Sequence, residues 1–136
     1  MSRVLPASPE RVWAAFVDPA ILAKWWGPQG FTVSSLEFDP RAGESYRIEM
    51  QPPEGDPFFL AGEFREVEPP TRLVFTFGYE EPDPDDVENI ATLLFVDRGG
   101  STEVGFTQSP FKTDARLALH REGWSDSFDK LQRLLG

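Results

Sequence analysis

Two periods of apolar positions divide the chain into predicted elements. Residues 2–5 form a predicted short first strand, and helical spacing then predicts short helices over 9–16 and 19–25. A Ser-Pro or Asp-Pro pair opens each helix, as is typical of an N-cap followed by proline at the first helical position. Gly27 and Pro28 end the second helix. The N-terminal part is therefore predicted to hold one strand and two short helices.

From residue 32 the apolar positions alternate with a period of two, which predicts six consecutive strands. The predicted strands span residues 32–38, 44–50, 58–67, 72–79, 89–96 and 102–108. Short turns rich in proline, glycine and acidic residues separate them, and consecutive strands joined in this way form an antiparallel meander. Gly62 lies inside the third of these strands and predicts a bulge or a close approach of another group to the backbone.

The helical period returns in the last segment, which predicts one long helix of about 20 residues after Thr113 as N-cap. Its apolar face is formed by Leu117, Trp124, Phe128, Leu131 and Leu135. Gly123 lies in its middle, where glycine costs about 1 kcal/mol relative to alanine, so we expect a neighbouring segment to pass close to that backbone. A long amphipathic helix is the natural cover for the apolar face of the meander, and a space often remains between the two.

Composition and charge narrow the possible functions. The chain has 136 residues, enough for one domain, which we place at 1–136. A net charge of −10 repels phosphate backbones and makes nucleic acid an unlikely partner. No apolar run approaches the roughly 18 residues of a membrane helix, and no signal peptide is recognisable. The absence of cysteine excludes disulfides and thiol chemistry and fits a cytoplasmic protein.

Few residues offer catalytic or metal-binding chemistry. His120 is the only histidine, and no nucleophile motif accompanies it. We interpret it as a surface or internally satisfied residue, with a ligand contact at a cavity edge, or acid–base work, as alternatives. The acidic residues of segment 80–88 are interpreted as a solvated, mobile loop, with weak divalent-cation binding as the alternative, because their spacing does not match a calcium loop. No metal site and no cofactor are predicted.

Inward-facing aromatic residues dominate the predicted interior. By alternation and helical phase they are Tyr46, Phe64, Phe75, Phe77, Phe95, Phe106, Trp124 and Phe128. A packed core is the favoured interpretation for most of them, and the wall of a ligand pocket is the alternative. Trp124 is the heaviest side chain of the helix facing the sheet, so we predict that it lines a cavity. Tyr46 and Gln108 are predicted to orient a ligand by hydrogen bonds.

Trp25 and Trp26 stand side by side before Gly27 and Pro28. Adjacent residues on a helix point about 100° apart, so the two rings cannot have the same role. From the phase of Ile21 and Leu22, we predict that Trp25 points inward and Trp26 lies near the mouth of the cavity.

Several short motifs occur along nearly the whole chain in a characteristic order. They are PASPERVWAAFVDPAILAKWWGP at 6–28, EFDPRAGESYRIEM at 37–50, GEFREVEPPTRLVFTF at 62–77, GGSTEVGFTQ at 99–108 and HREGW at 120–124. Together they resemble the family similar to the C-terminal domain of the activator of the heat-shock-protein-90 ATPase, within the START-like, birch-pollen-allergen-like superfamily. Glu44 and Gln108 depart from this pattern, since many members carry glycine and histidine there.

The resemblance implies an α+β helix-grip fold, in which a curved antiparallel sheet wraps around a long C-terminal helix beside two short N-terminal helices. It also implies a hydrophobic cavity between sheet and helix for a small hydrophobic or aromatic molecule, such as a lipid or polyketide-like ligand. The candidate ligand-binding residues are Trp25, Trp26, Tyr46, Phe64, Phe75, Phe77, Phe95, Phe106, Gln108, His120, Trp124 and Phe128. The alternatives are a co-chaperone-like module that stimulates a chaperone ATPase and a cyclase- or aromatase-type enzyme. The single histidine and the lack of cysteine weigh against the enzyme.

Overall fold

The computed structural model describes residues 1–136 and shows one seven-stranded antiparallel sheet with three helices. The strands are β1 (Ser2–Leu5), β2 (Thr32–Phe38), β3 (Ser45–Gln51), β4 (Phe58–Glu68), β5 (Arg72–Tyr79), β6 (Asn89–Asp97) and β7 (Thr102–Ser109). The helices are α1 (Pro9–Val17), α2 (Pro19–Leu22) and α3 (Asp114–Leu135). The predicted α+β class and the order of the elements are confirmed. No helix is both long and apolar enough to cross a membrane.

The strand order in the sheet is β1-β7-β6-β5-β4-β3-β2, with every neighbouring pair antiparallel. Strands β2 to β7 therefore form the predicted meander, and β1 joins the sheet beside the last strand. The second helix is shorter than the predicted 19–25. Its last turn continues only as a hydrogen-bonded turn, in which the amides of Trp25 and Trp26 both donate to Leu22 O, at 3.2 and 3.0 Å.

The three helices begin at the caps that the sequence predicts. Ser8 Oγ accepts a hydrogen bond from the amide of Arg11 at 3.3 Å, and Thr113 Oγ1 accepts one from Arg116 at 3.1 Å. Asp18 Oδ1 accepts from Ala20 at 3.0 Å in the same way. Each cap satisfies an amide that has no partner inside its helix, which fixes where the helix begins.

The hydrophobic core lies between one face of the sheet and the helices α1 and α3. On the α1 side, the ring centroids of Trp13 and Phe16 each lie 5.4 Å from the ring centroid of Phe95 of β6. On the α3 side, Phe106 of β7 lies 4.4 Å from Trp124 between ring centroids. A helix laid across an antiparallel sheet in this way gives the helix-grip-like arrangement that the family resemblance implies.

Gly62 marks a close approach between β4 and the neighbouring strands. A Cβ atom at this position would collide with Thr76 O and would lie 2.7 Å from the ring of Tyr46. The O–H of Tyr46 donates to the same Thr76 oxygen at 2.6 Å. The pairing of β4 with β5 shifts register just beyond, between Phe64 and Glu66. The close approach expected from the sequence is therefore present, with an irregularity beside it.

Candidate functional site

A cleft of about 460 Å³ opens between one end of the sheet and the middle of α3. The sheet supplies its apolar wall with the inward side chains Met50, Phe58, Leu60, Phe77 and Tyr79, together with Phe31 before β2. These residues share one end of the sheet because β3 and β5 finish where β4 begins. Antiparallel pairing therefore gathers them although they are up to 48 positions apart by number, from Phe31 to Tyr79.

The opposite end of the same strands is filled. Here Phe16, Trp26, Phe38, Tyr46, Ile48, Phe64, Leu73 and Phe75 surround a void of only about 10 Å³. Such a void holds at most about one water molecule. The interior is thus packed at one end of the sheet and open at the other.

The turn after α2 forms one edge of the cleft and is fastened to α3. The amide of Gly27 donates to Ser127 Oγ at 3.1 Å, and Ser127 in turn donates to Gly123 O at 2.9 Å. Pro28 Cγ would lie 3.4 Å from a Cβ atom on Gly123. A neighbouring segment therefore passes beside Gly123, as expected from sequence, but at a distance that leaves room for a Cβ atom. Lys130 Nζ adds a hydrogen bond to Pro28 O at 3.3 Å.

The two adjacent tryptophans have different environments. Trp25 is fully buried, packs 4.8 Å from Phe16 between ring centroids, and donates its indole N–H to Ala15 O at 2.9 Å. Trp26 lines the cleft, with its ring 5.1 Å from that of Trp124 in an edge-to-face arrangement. Trp25 therefore points inward as the helical phase predicts, whereas Trp26 is also buried and lies between the packed end and the cleft, contacting both.

Trp124 lines the cleft from α3, and a hydrogen bond fixes the orientation of its indole ring. Its indole N–H donates to Gln108 Oε1 at 2.9 Å, and Gln108 Nε2 donates to Asn89 Oδ1 at 2.7 Å. Both ends of the Gln108 amide are thus engaged within the protein, and the residue does not line the cleft. Its position suits it to orient Trp124 instead of a ligand.

Tyr46 is also placed away from the cleft, although a role in ligand orientation was predicted for it. Its hydroxyl donates a hydrogen bond to Thr76 O. Its ring centroid lies 5.5 Å from that of Phe64 and 5.8 Å from that of Phe75. Burial raises the pKa of Tyr46 above its ordinary value, so the hydroxyl stays protonated as a donor. Tyr46 is therefore a structural residue of the packed end.

His120 and Tyr79 form a polar pair in the apolar wall. His120 Nε2 lies 3.2 Å from the Tyr79 hydroxyl, and the imidazole is only 9% exposed between Phe77 and Phe111. Burial lowers the pKa of His120 below 6.5, against the opposing attraction of Asp86. Burial likewise raises the pKa of Tyr79 to about 12. At neutral pH the pair is uncharged and can exchange hydrogen bonds with a ligand.

The mouth of the cleft carries the charged residues. Glu122 and Asp126 stand one helical turn apart on α3, beside Leu119, which is 51% exposed. Asp126 Oδ2 also accepts a hydrogen bond from the amide of Gln29 across the mouth, at 3.2 Å. No lysine or arginine belongs to the lining.

The structure brings together a part of the residues considered from sequence. Trp26, Phe77, His120 and Trp124 line the cleft. The others lie in the packed interior or behind the cleft wall, and they are Trp25, Tyr46, Phe64, Phe75, Phe95, Phe106, Gln108 and Phe128.

Other lining residues were not selected from sequence. These are Gly27, Pro28, Gln29, Phe31, Met50, Phe58, Leu60, Tyr79, Leu119, Glu122, Gly123, Asp126 and Ser127. The alternation that singled out Phe75 and Phe77 also includes Tyr79, and the inward alternation of β3 also includes Met50. The alternation of apolar residues could therefore have identified Tyr79 and Met50 as inward-facing candidates.

The acidic loop is exposed to solvent along most of its length, as expected from sequence, and it is tied to α3 through Asp83 and Asp86. Arg116 pairs with Asp83 at 3.1 Å and with Asp86 at 3.4 Å, and the side chain of Asp86 is only 9% exposed. Lys112 Nζ donates to Pro84 O at 2.6 Å. These two cations offset part of the negative charge of the loop. No group of three or more His, Asp or Glu side chains is arranged to hold a metal ion.

The antiparallel sheet crossed by a long C-terminal helix, with a cleft between them, defines a helix-grip-like α+β protein of the START-like class. Within this class, the chain belongs to the family described as activator of Hsp90 ATPase homolog 1-like protein, whose family model matches residues 6–136. The resemblance inferred from the sequence motifs is thereby confirmed. No curated protein matches the chain.

Solved structures of similar bacterial proteins agree with the fold over the whole chain. A protein from Chromobacterium violaceum is 30% identical, with a TM-score of 0.84 over 99% of this chain and 94% of that one. A protein named AHSA1 from Silicibacter pomeroyi is 27% identical, with a TM-score of 0.85 over 99% and 94% of the two chains. A Rhodobacter sphaeroides protein is 28% identical, with a TM-score of 0.83 over 99% and 89%.

Proposed function

We propose that the protein binds a small hydrophobic or aromatic molecule in the cleft between the sheet and α3. The observation that carries the proposal is the cleft itself, about 460 Å³ with mainly apolar and aromatic walls, beside a packed end of the sheet that leaves a void of only about 10 Å³. Clefts of roughly 300–1,000 Å³ with few polar groups are typical of small-molecule sites. The START-like fold of the family is compatible with this role.

The lining residues offer a ligand two kinds of contact: apolar packing and a hydrogen bond that orients it. Trp26, Phe77 and Trp124 offer rigid rings against which a flat or aliphatic body can pack. Burial of such surface contributes roughly 25 cal/mol per Å² before the costs of association. The Tyr79–His120 pair supplies the polar contact within the wall. The co-chaperone and cyclase alternatives stay predictions from the sequence, because no contact described above favours either.

A cleft-filling substitution tests the proposal directly. Leu60 lines the cleft, whereas Leu94 is 44% exposed on the opposite face of the sheet. We expect the uncharged fluorophore prodan to bind the wild-type protein with a blue-shifted emission. Leu60→Trp is expected to weaken that binding at least about tenfold, which corresponds to about 1.4 kcal/mol. The matched variant Leu94→Trp is expected to bind prodan as the wild type does.

Two results would contradict the proposal. One is the absence of any saturable prodan binding to the folded wild-type protein. The other is a Leu60→Trp variant that keeps the far-UV circular dichroism and the cooperative urea unfolding of the wild type and binds prodan equally well. Native mass spectrometry of protein purified from its own host is the complementary measurement, and we expect it to show a retained small molecule that Leu60→Trp loses.

A further inference from the structure

We propose that the ligand of this cleft is a cationic amphiphile, an apolar or aromatic body that carries an ammonium group at the mouth. This inference rests on the proposed function and adds the charge of the ligand to it. It follows from the distribution of charge around the cleft, from the positions of the nearby cations and from the aromatic rings in its lining.

The charged side chains that line the cleft are all negative. Glu122 and Asp126 are its only charged side chains, and they project from the same face of α3 one turn apart. Two carboxylates at the edge of a low-polarity cleft attract a cation and repel a carboxylate or sulfonate. The net charge of −10 acts in the same direction at longer range.

Two cations lie near the cleft, but neither of their side chains belongs to its lining. The charge of Lys130 attracts Asp126, so Glu122 is the carboxylate of the mouth that it opposes less. Lys130 uses its ammonium group on the backbone oxygens of Pro28 and Phe31, both at 3.3 Å. Arg116 is paired with Asp83 and Asp86. His120, inside the wall, stays neutral at neutral pH because burial lowers its pKa. No side chain that lines the cleft is therefore available to neutralise an anionic ligand.

The aromatic lining favours the same choice. Trp26 and Trp124 meet edge to face with ring centroids 5.1 Å apart, and Trp124 turns its N–H away from the cleft toward Gln108. The negative faces of indole rings attract ammonium groups within about 6 Å of the ring centre. An amphiphile can thus place its apolar body against the sheet and its ammonium group between the rings and the carboxylates. The charge then remains at the hydrated mouth and avoids the cost of full burial.

The test uses three ligands that share one naphthalene body and differ in charge: naphthylmethylamine, naphthylmethanol and naphthoate. Isothermal titration calorimetry at low ionic strength is expected to rank their affinities as amine, alcohol, carboxylate. We expect Glu122→Gln and Asp126→Asn each to weaken the amine about two- to fivefold, the range for one partly exposed charge pair, and to leave the alcohol unchanged. Asp126→Asn retains an oxygen that can accept the Gln29 amide.

A charge control separates the cleft carboxylates from the net charge of the protein. Glu10→Gln removes one negative charge from the first turn of α1, outside the cleft lining, and is expected to leave the affinity of the amine unchanged. The ligand charge assigned above is wrong if the alcohol binds but the carboxylate binds as tightly as the amine, or if Glu10→Gln weakens the amine as much as Glu122→Gln does. In both cases the proposed function survives. If none of the three ligands binds, and prodan does not bind either, the proposed function itself fails.

Discussion

At the scale of single residues, Gly62 and Gly123 lie in regular elements for different reasons. A Cβ atom on Gly62 meets the fixed backbone oxygen of Thr76, whereas one on Gly123 meets only Pro28 Cγ at 3.4 Å. The first contact cannot relax without moving a strand. The second is close to ordinary van der Waals distance, and alanine is about 1 kcal/mol more favourable than glycine in a helix.

The same substitution is therefore expected to have opposite effects at the two positions. Gly62→Ala should lower the free energy of unfolding by about 3 kcal/mol, in the range of overpacking in a filled interior. Gly123→Ala should raise it by about 0.5–1 kcal/mol. Urea denaturation of both variants beside the wild type measures this. A Gly62→Ala protein as stable as the wild type would contradict the close approach of Thr76 O to Gly62.

Tyr46→Phe tests whether Tyr46 is structural. Loss of its hydroxyl removes the 2.6 Å hydrogen bond to Thr76 O, so we expect stability to fall by about 1 kcal/mol. Because Tyr46 lies at the packed end, the affinity for prodan should not change. Thermal denaturation and prodan titration of the same preparation separate the two effects. A variant of unchanged stability but weaker prodan binding would show that Tyr46 contacts the ligand, contrary to this prediction.

Phe75 and Phe77 show why the site was only partly predictable at this scale. They stand two positions apart on one strand and point to the same face, so alternation assigns both to the interior. Phe75 nevertheless lies against the filled end and Phe77 in the open cleft. The difference depends on where α3 and the turn after α2 cover the sheet, which no local pattern of apolar residues records.

At the scale of elements, the cleft depends on a joint between the turn after α2 and helix α3. Ser127 accepts the amide of Gly27 and donates to Gly123 O, and Lys130 donates to Pro28 O. The joint connects residues 100 positions apart, from Gly27 to Ser127. Most helix and strand bounds were predictable because caps and turns are local, although α2 ends three residues before the predicted end. This joint was not predictable, since it depends on long-range packing. Gly123 alone gave an indication of it.

Ser127→Ala is expected to weaken the joint. It leaves the buried amide of Gly27 without its partner, which costs about 1–3 kcal/mol. Trp26 precedes Gly27 and lines the cleft, so we also expect weaker prodan binding. Ser125→Ala on the same helix, outside the cleft lining, should change neither stability nor binding by a comparable amount. Equal behaviour of the two variants in urea denaturation and prodan titration would contradict a specific role for Ser127.

At the scale of the whole molecule, the composition leaves a single histidine to control how stability depends on pH near neutrality. The chain has many carboxylates but a single histidine. The pKa values of Asp39 and Glu80 are lowered by hydrogen bonds from Arg41 and Arg47, so the stability they contribute is lost only at strongly acidic pH. Between about pH 7.5 and about pH 5.5, His120 is therefore the side chain expected to take up a proton on unfolding.

The sign of the effect follows from the burial of His120. Its pKa is lowered in the folded protein by loss of solvation, so the unfolded chain takes up a proton near pH 6.5 while the folded protein does not. Stability should hence be full above pH 6.5 and decrease as the pH falls through the lowered pKa. We expect urea denaturation to show this decrease for the wild type. His120→Gln retains a polar partner for Tyr79 and should show a flat profile over the same range. If the variant keeps the full decrease, carboxylates control the stability in this range, and the buried, neutral His120 does not.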